Sequence, residues 1–416
     1  MKNKKTLLLL GGVIILFIVL RSINYIYYLN WSGDQASFAI EVLKMFREKK
    51  LTLIGPQISA NFQGHFVFQG PAIYYMMLVF MLLGHWDPVS SSYFFMIFAS
   101  LMIVPLYFGV KKLINEKAAW LMVIFYSFLP FYINYSRFIW NSTFLLSLLP
   151  ILIYLMGLYK EKKSRFVFFL VAFWLGLLLQ FHYQFILIIF CVFLYYFLFK
   201  KESVFNILFF VFGLIVGFSP LIIFELKHDF YNIRMMILFA QNWSQVDRPG
   251  GITMPHYYIS ISFMLLILIF GILARKIKNI SHRLITVFAI ILAAYSFIVY
   301  LPKPNHAFWA PADPWNYLAE KKIYEIIRST KLKNNFNIAN LAYYDTPAIV
   351  TKYFMRRDYY RIAYEDYYHN SYLFVVAEGD KYLYNPAYEI GMFNPKKIIK
   401  KWKINSRFDM LLLQRD

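Results

Sequence analysis

The chain has 416 residues, of which 60% are hydrophobic and 16% charged, with a mean hydropathy of +0.51. Soluble domains carry about a quarter charged residues, so the composition excludes an ordinary soluble domain and indicates a polytopic membrane protein. The formal charge of +21 raises nucleic-acid binding, but Lys and Arg fall in short clusters between apolar runs, their topological use rather than a phosphate-tracking groove.

The basic start, Lys2-Asn3-Lys4-Lys5, precedes an apolar run from Thr6 to Leu20. That run is too long for a signal peptide, and Leu20-Arg21-Ser22 is not a small-residue cleavage site, so it is expected to stay as a first helix. Apolar runs of spanning length follow at 89–110, 118–135, 141–159, 204–224, 257–274 and 284–301. Phe166 to Phe199 is too long for one helix and is split at Gln180-Phe181-His182-Tyr183-Gln184 into two spans. Cys191 lies in the second of these as a small apolar helix residue, and a lone cysteine excludes a disulfide framework within the chain.

Phe68–Leu83 is also apolar, and the basic clusters decide whether it crosses. If it lies in the interface, Lys111, Lys112, Lys117, Lys160, Lys162, Lys163, Arg165, Lys200, Lys201, Arg275, Lys276, Lys278 and Arg283 all fall on the cytoplasmic side; if it crosses, all of them flip outside. The expected architecture is therefore about nine transmembrane helices with a cytoplasmic N-terminus. A long external first loop spans residues 30–88, and Phe68–Leu83 becomes a juxtamembrane helix anchored by Tyr74, Tyr75 and Trp86. Residues 30–88, Tyr135–Trp140, Gln180–Gln184 and Glu225–His256 would then converge on one outer face.

Residues 1–301 form this membrane module and 302–416 an external C-terminal α/β domain. The prolines at 302, 304, 311 and 314 end the membrane part. Beyond them Tyr317–Ser329 is expected as an amphipathic helix and Ala348–Arg356 as a second helix. Phe336–Tyr343, Tyr360–Ala363, Tyr372–Ala377 and Phe408–Leu413 are expected as short strands. No internal repeat of the inverted-transporter kind is seen.

Few polar residues are placed to do chemistry. Asp34 stands just beyond the first span, in Trp31-Ser32-Gly33-Asp34-Gln35, and an acid there followed by a long aromatic loop suits chemistry on a lipid-borne substrate. Its bland alternative is a solvated loop acid. Glu41, beside Lys44 and Arg47, is read as a helix-surface ion pair. Arg137, at a helix junction, is costly near hydrocarbon and should be paired or bound to an anion. Lys227, His228 and Arg234 could hold a phosphate, or simply touch lipid headgroups. His182, at a tight turn, is more ordinarily a satisfied interface residue. There is no Gly-rich phosphate loop, His-Glu-x-x-His or nucleophile elbow.

Over residues 6–300 the chain resembles the GT-C superfamily of membrane glycosyltransferases, in particular the family 39 group of dolichyl-phosphate-mannose:protein mannosyltransferase-like and aminoarabinose-transferase-like proteins. The resemblance rests on Gly33-Asp34 after the first helix, on Gly55-Pro56 and Gly70-Pro71-Ala72-Ile73-Tyr74-Tyr75, on Pro130 with Tyr135-Ser136-Arg137, and on Phe224-Glu225-Leu226-Lys227-His228. It implies transfer of a sugar from a polyprenyl-phosphate carrier to a protein, lipid or glycan acceptor at the outer face of the cell membrane. In that reading Asp34 is the base, and Arg137, Lys227, His228 and Arg234 bind the donor phosphate. Gln35, His65, Tyr74, Asn141, His182 and Glu225 line the substrate. Many members carry Asp-Glu where this chain has Asp34-Gln35, and several carry an acid in place of Asn141, so no cofactor is expected and a divalent metal is disfavoured. The partners are the lipid-linked donor, the acceptor and membrane lipids, without nucleic acid. A transporter or flippase of lipid-linked sugars, an oligosaccharyltransferase, and a structural membrane protein presenting its C-terminal domain are the rival readings.

Overall fold

The computed structural model describes residues 2–200, 202–246, 258–304, 314–332, 335–342, 345–360, 366–379, 387–394 and 397–415. They fall into two compact units. One comprises Met1–Arg21, Lys49–Val79 and Phe94–Val299; the other comprises Ser22–Glu48, Phe80–Tyr93 and Tyr300–Asp416.

Among the described residues four helices are long and apolar enough to cross a bilayer: Lys4–Ser22, Pro88–Leu113, Asn141–Lys162 and His282–Tyr300. Val204–Gly217 and Ser219–Lys227, bent by 71°, would make a fifth as one broken span. The chain is a multi-pass membrane protein, but not every expected span is a single long helix. The run at 118–135 stops at Phe128, because Pro130 cannot continue a helix that needs its N–H, and Leu129 turns extended with ψ 125°. Within the run at 257–274 the main helix is Ile259–Ile272, and Ala274 already begins a second, Ala274–Asn279. The long aromatic run does break where expected: one helix is Arg165–Leu179, and the next apolar helix covers Tyr183–Leu198.

In the first unit Arg165–Leu179 packs along Val204–Gly217. Their backbones approach so closely that a Cβ on Gly217 would lie 2.1 Å from the Phe173 carbonyl oxygen. Small residues permit such crossings where lipid supplies no hydrophobic drive between helices. The same unit contains a hairpin absent from the expected elements, β1 (Gln57–Phe62) and β2 (His65–Phe68). Gln63 and Gly64 between them both have positive φ, 53° and 79°, as a two-residue type I′ turn requires. Its Phe62 and Val67 are buried with Phe239 and Val246, which seats the hairpin on the Tyr231–Gln241 helix.

The second unit holds a four-stranded sheet of β3 (Phe336–Asn340), β4 (Tyr372–Ala377), β5 (Lys397–Lys403) and β6 (Asp409–Gln414), in the order β3-β4-β6-β5. The β3–β4 pair is parallel and the others antiparallel. Residues pointing to both faces of β3, β4 and β6 are buried; β4 and the centre of β6 are apolar throughout, while β3 also buries Asn337 and Asn340. One face packs Leu373, Val375, Leu411 and Leu413 on Ile390 and Phe393. By contrast β5 is an exposed edge whose lysines discourage pairing with another chain, and that composition hid it from the sequence reading. The helix at Tyr317–Ser329 has the expected bounds, and the second helix runs Ile349–Arg357. Strand β3 ends at Asn340 rather than Tyr343, which lies outside the described residues. Of the expected strand at Tyr360–Ala363, Tyr360 is not in a strand and 361–363 lie outside the described residues.

Candidate functional site

In the first unit the polar loops meet at Gln69-Gly70. The Gln69 carbonyl accepts from Gly55 N–H at 2.7 Å, and its own N–H donates to the Pro56 carbonyl at 2.9 Å. Its side-chain oxygen accepts from Asn141 Nδ2 at 3.3 Å. Gly70 N–H donates to the Gln180 carbonyl at 3.0 Å, while the Gln180 amide donates to the Gly217 carbonyl at 2.7 Å. Glycine is required at both Gly55 and Gly70: a Cβ would lie 2.1 Å from the Gly70 oxygen in one case and 2.6 Å from Gln180 Cβ in the other. Phe68, one residue earlier, exchanges hydrogen bonds with the Asn232 side chain at 2.9 and 3.2 Å. Glu225 is buried, and its carboxylate accepts from the Asn232 and Ile233 N–H groups at 3.2 Å, capping the Tyr231–Gln241 helix. The structure thus joins three of the four expected stretches, through Gln69-Gly70, Gln180 and Glu225, to Asn141 at the start of the Asn141–Lys162 helix, one residue beyond the fourth.

The cations separate. Lys227, His228 and Arg234 are exposed together between the Ser219–Lys227 and Tyr231–Gln241 helices. His228 places Nδ1 2.9 Å from the Phe224 carbonyl and stacks on the Phe224 ring, which fixes its plane. Arg234 donates to the His228 carbonyl at 3.4 Å. Arg137, however, is wholly buried and donates to the Leu20 carbonyl at 3.1 Å. Next to that carbonyl lies a residue the sequence reading passed over. Arg21 is also wholly buried, donating to the Ser136 hydroxyl at 2.5 Å and to the Ser127 and Tyr126 carbonyls at 2.8 and 3.2 Å, with its guanidinium over the Phe17 ring. A guanidinium's fork of donors ties the end of the first helix to the Tyr126 and Ser127 carbonyls. His65 is exposed on β2 and Tyr74 is buried in the Ala72–Leu83 helix.

In the second unit Asp34 is exposed in the first turn of the Gly33–Glu48 helix, where the macrodipole favours a carboxylate. Gln35 is buried, and its oxygen accepts from the Ser32 N–H at 3.0 Å and the Ser32 hydroxyl at 2.6 Å, the return arm of a capping box. A second acid, Asp345, lies against this turn: its Oδ1 is 3.9 Å from where a Cβ on Gly33 would stand. Asp345 accepts from the N–H groups of Ile349 and Val350 at 3.0 and 3.3 Å. Burial pushes its carboxyl up to about 6, against the lowering effect of those two bonds and of Lys352. The signal for it in the sequence was Asp345-Thr346-Pro347 just ahead of a helix.

Residues 69–224 match the model of the dolichyl-phosphate-mannose-protein mannosyltransferase family. Among curated proteins none matches. Among solved structures the chain is similar to ArnT from Cupriavidus metallidurans bound to undecaprenyl phosphate, with a TM-score of 0.55 at 9% identity, covering 99% of this chain and 98% of that one. The apo form of the same protein gives 0.54 at 10% identity, with the same coverage. The GT-C resemblance holds.

Neither Gln35 nor Asn141 offers a free side-chain oxygen to a divalent ion. Gln35 has both lone pairs of its oxygen directed to Ser32, and Asn141 directs its oxygen to the Ser142 N–H at 2.8 Å and its nitrogen to Gln69. A hard cation calls for several free oxygens, preferably charged. Among the described residues no three His, Cys, Asp or Glu side chains form a ligand group. No step is therefore routed through a metal.

Proposed function

We propose that the protein is an integral-membrane glycosyltransferase that moves a sugar from a polyprenyl-phosphate donor to a hydroxyl-bearing acceptor on the outer face of the cell membrane. The reading is carried by the match at residues 69–224 together with an ArnT-like fold over nearly the whole chain. In the reaction the acceptor oxygen forms the new glycosidic bond, the anomeric carbon–phosphate oxygen bond breaks, and polyprenyl phosphate leaves with its electron pair. The phosphate is already a good leaving group, so the protein needs a carboxylate to take the acceptor proton and cations to steady the departing charge. Asp34, exposed at a helix N-terminus, takes the proton. Lys227, His228 and Arg234, grouped on one exposed surface, hold the phosphate. The burial of Arg137 and Arg21 favours a structural part for both. The first helix enters from the cytoplasm, and the sheet-bearing C-terminal segment stands outside as an α/β domain.

The test uses membranes containing the wild-type chain or Asp34→Asn and a panel of radiolabelled polyprenyl-phosphate monosaccharides. Loss of label from the lipid with wild type alone supports the reading and names the donor. Equal turnover by the Asp34→Asn protein removes Asp34 from the chemistry, and movement of intact labelled lipid across vesicles without cleavage replaces the enzyme by a transporter.

A further inference from the structure

In the first unit the chain passes from the Ser219–Lys227 helix to the Tyr231–Gln241 helix through His228-Asp229-Phe230. Asp229 and Phe230 both hold positive φ, 51° and 56°, a region that disfavours any residue with a Cβ and is rare for a side chain as bulky as phenylalanine. Such a turn persists only where its surroundings hold it. Glu225 supplies most of that hold. Its carbonyl accepts from the Phe230 N–H at 2.8 Å and from the His228 N–H at 3.3 Å. Its two carboxylate oxygens accept from the Asn232 and Ile233 N–H groups, each at 3.2 Å. One buried residue thus grips the end of one helix and the start of the next. Asn232, also buried, spends both side-chain groups on the Phe68 backbone, and the Phe68 ring lies 6.4 and 6.1 Å from those of Phe224 and Tyr231. The turn is therefore tied to the hairpin strand β2 as well.

We infer that Glu225 is a positioning residue for the donor phosphate: by closing this turn it sets Arg234, on the second helix, in a fixed place relative to Lys227 and His228 at the end of the first. The inference rests on those three cations being the phosphate site. Each exposed cation stems from backbone that the turn controls. Arg234 N–H donates to the Phe230 carbonyl at 2.9 Å and its guanidinium to the His228 carbonyl at 3.4 Å, while the His228 ring is held on Phe224. Donors already arranged bind an anion more tightly than donors that must be ordered as it arrives. Glu225 itself does not line the substrate as the resemblance implied. Both of its carboxylate oxygens are engaged at a helix N-terminus, where the macrodipole favours the charge, so it acts through the turn.

The experiment measures binding of radiolabelled polyprenyl phosphate, the leaving group of the reaction, to the full-length protein in detergent solution, normalised to folded protein. Neither the sugar nor the acceptor enters this measurement. Glu225→Gln keeps the volume and one acceptor and should raise Kd about three-fold, whereas Glu225→Ala removes both acceptors and should raise it about ten-fold. In a Lys227→Ala/Arg234→Ala background, Glu225→Gln should change Kd by less than about 1.5-fold, because residues that act through one another are not additive. An equal effect of Glu225→Gln in both backgrounds would mean that it does not act through the cations, and would overturn the inference. An unchanged Kd in folded Glu225→Ala protein would do the same. Wild-type affinity in the Lys227→Ala/Arg234→Ala protein would instead overturn the phosphate assignment itself, a different failure from either.

Discussion

Asn141 donates its side-chain amide to Gln69 across 3.3 Å, and both residues are buried. One stands at the start of the Asn141–Lys162 helix and the other just after the β-hairpin, so a single polar contact joins two loops far apart in sequence. Replacing Asn141 by Asp would set a carboxylate oxygen against the Gln69 oxygen and leave two buried acceptors facing each other. The expected cost is about 1–3 kcal/mol, read as a lower Tm in detergent, and added divalent metal should not restore it.

Gly55→Ala and Gly70→Ala should both destabilise the same junction, and unequally. At Gly55 the intruding Cβ would lie 2.1 Å from a backbone oxygen, and at Gly70 it would lie 2.6 Å from Gln180 Cβ, which the backbone holds in place. Gly70→Ala is expected to cost about 1–3 kcal/mol and Gly55→Ala more, because the overlap there is deeper. Thermal unfolding of the two variants side by side checks the order.

The exposed and buried cations should respond differently to truncation. Lys227→Ala and Arg234→Ala are expected to leave Tm within about a degree and to raise donor KM several-fold, since surface groups away from packing seldom alter stability by more than about 0.5 kcal/mol. Arg137→Ala and Arg21→Ala should lower Tm, because each strips a donor from buried carbonyls. Equal behaviour of the two classes in both assays would contradict this division.

Stability should also carry the mark of Asp345. Burial raises its carboxyl to about 6, above the ordinary value near 4 in the unfolded chain, so the folded state holds the proton more tightly between those values. Its contribution therefore weakens the fold as pH rises from about 4 to about 6 and is constant above. Relative to Asp345→Asn, the wild type should gain up to about 3 kcal/mol as pH falls from 6 to 4. Asp358 moves the other way, since the Arg357 guanidinium and the Tyr324 hydroxyl hold its carboxyl below the usual range despite burial that opposes them. For that reason the difference between wild type and variant, rather than the wild-type curve alone, is the quantity to measure.

Composition and basic-cluster placement sufficed to recognise a multi-pass membrane protein, because the energetic cost of charge in hydrocarbon acts on each segment separately. The same local logic marked the break at Gln180–Gln184, the Tyr317–Ser329 helix and the strand at Tyr372–Ala377, each set by its own periodicity or punctuation. The hairpin at Gln57–Phe68 and the edge strand at Lys397–Lys403 escaped, since one depends on packing against a helix over 160 residues later and the other on a partner strand that supplies what its lysines do not. Asp34, Asn141 and Glu225 were visible as residue types in telling places, but their surroundings were not. That Glu225 caps a helix, that Arg137 is sealed beside the first helix, and that Asp345 lies against Gly33 are consequences of long-range packing. Sequence by itself determined which segments avoid water; only the tertiary structure decided which buried polar groups satisfy one another, because each needs a partner that no local pattern names.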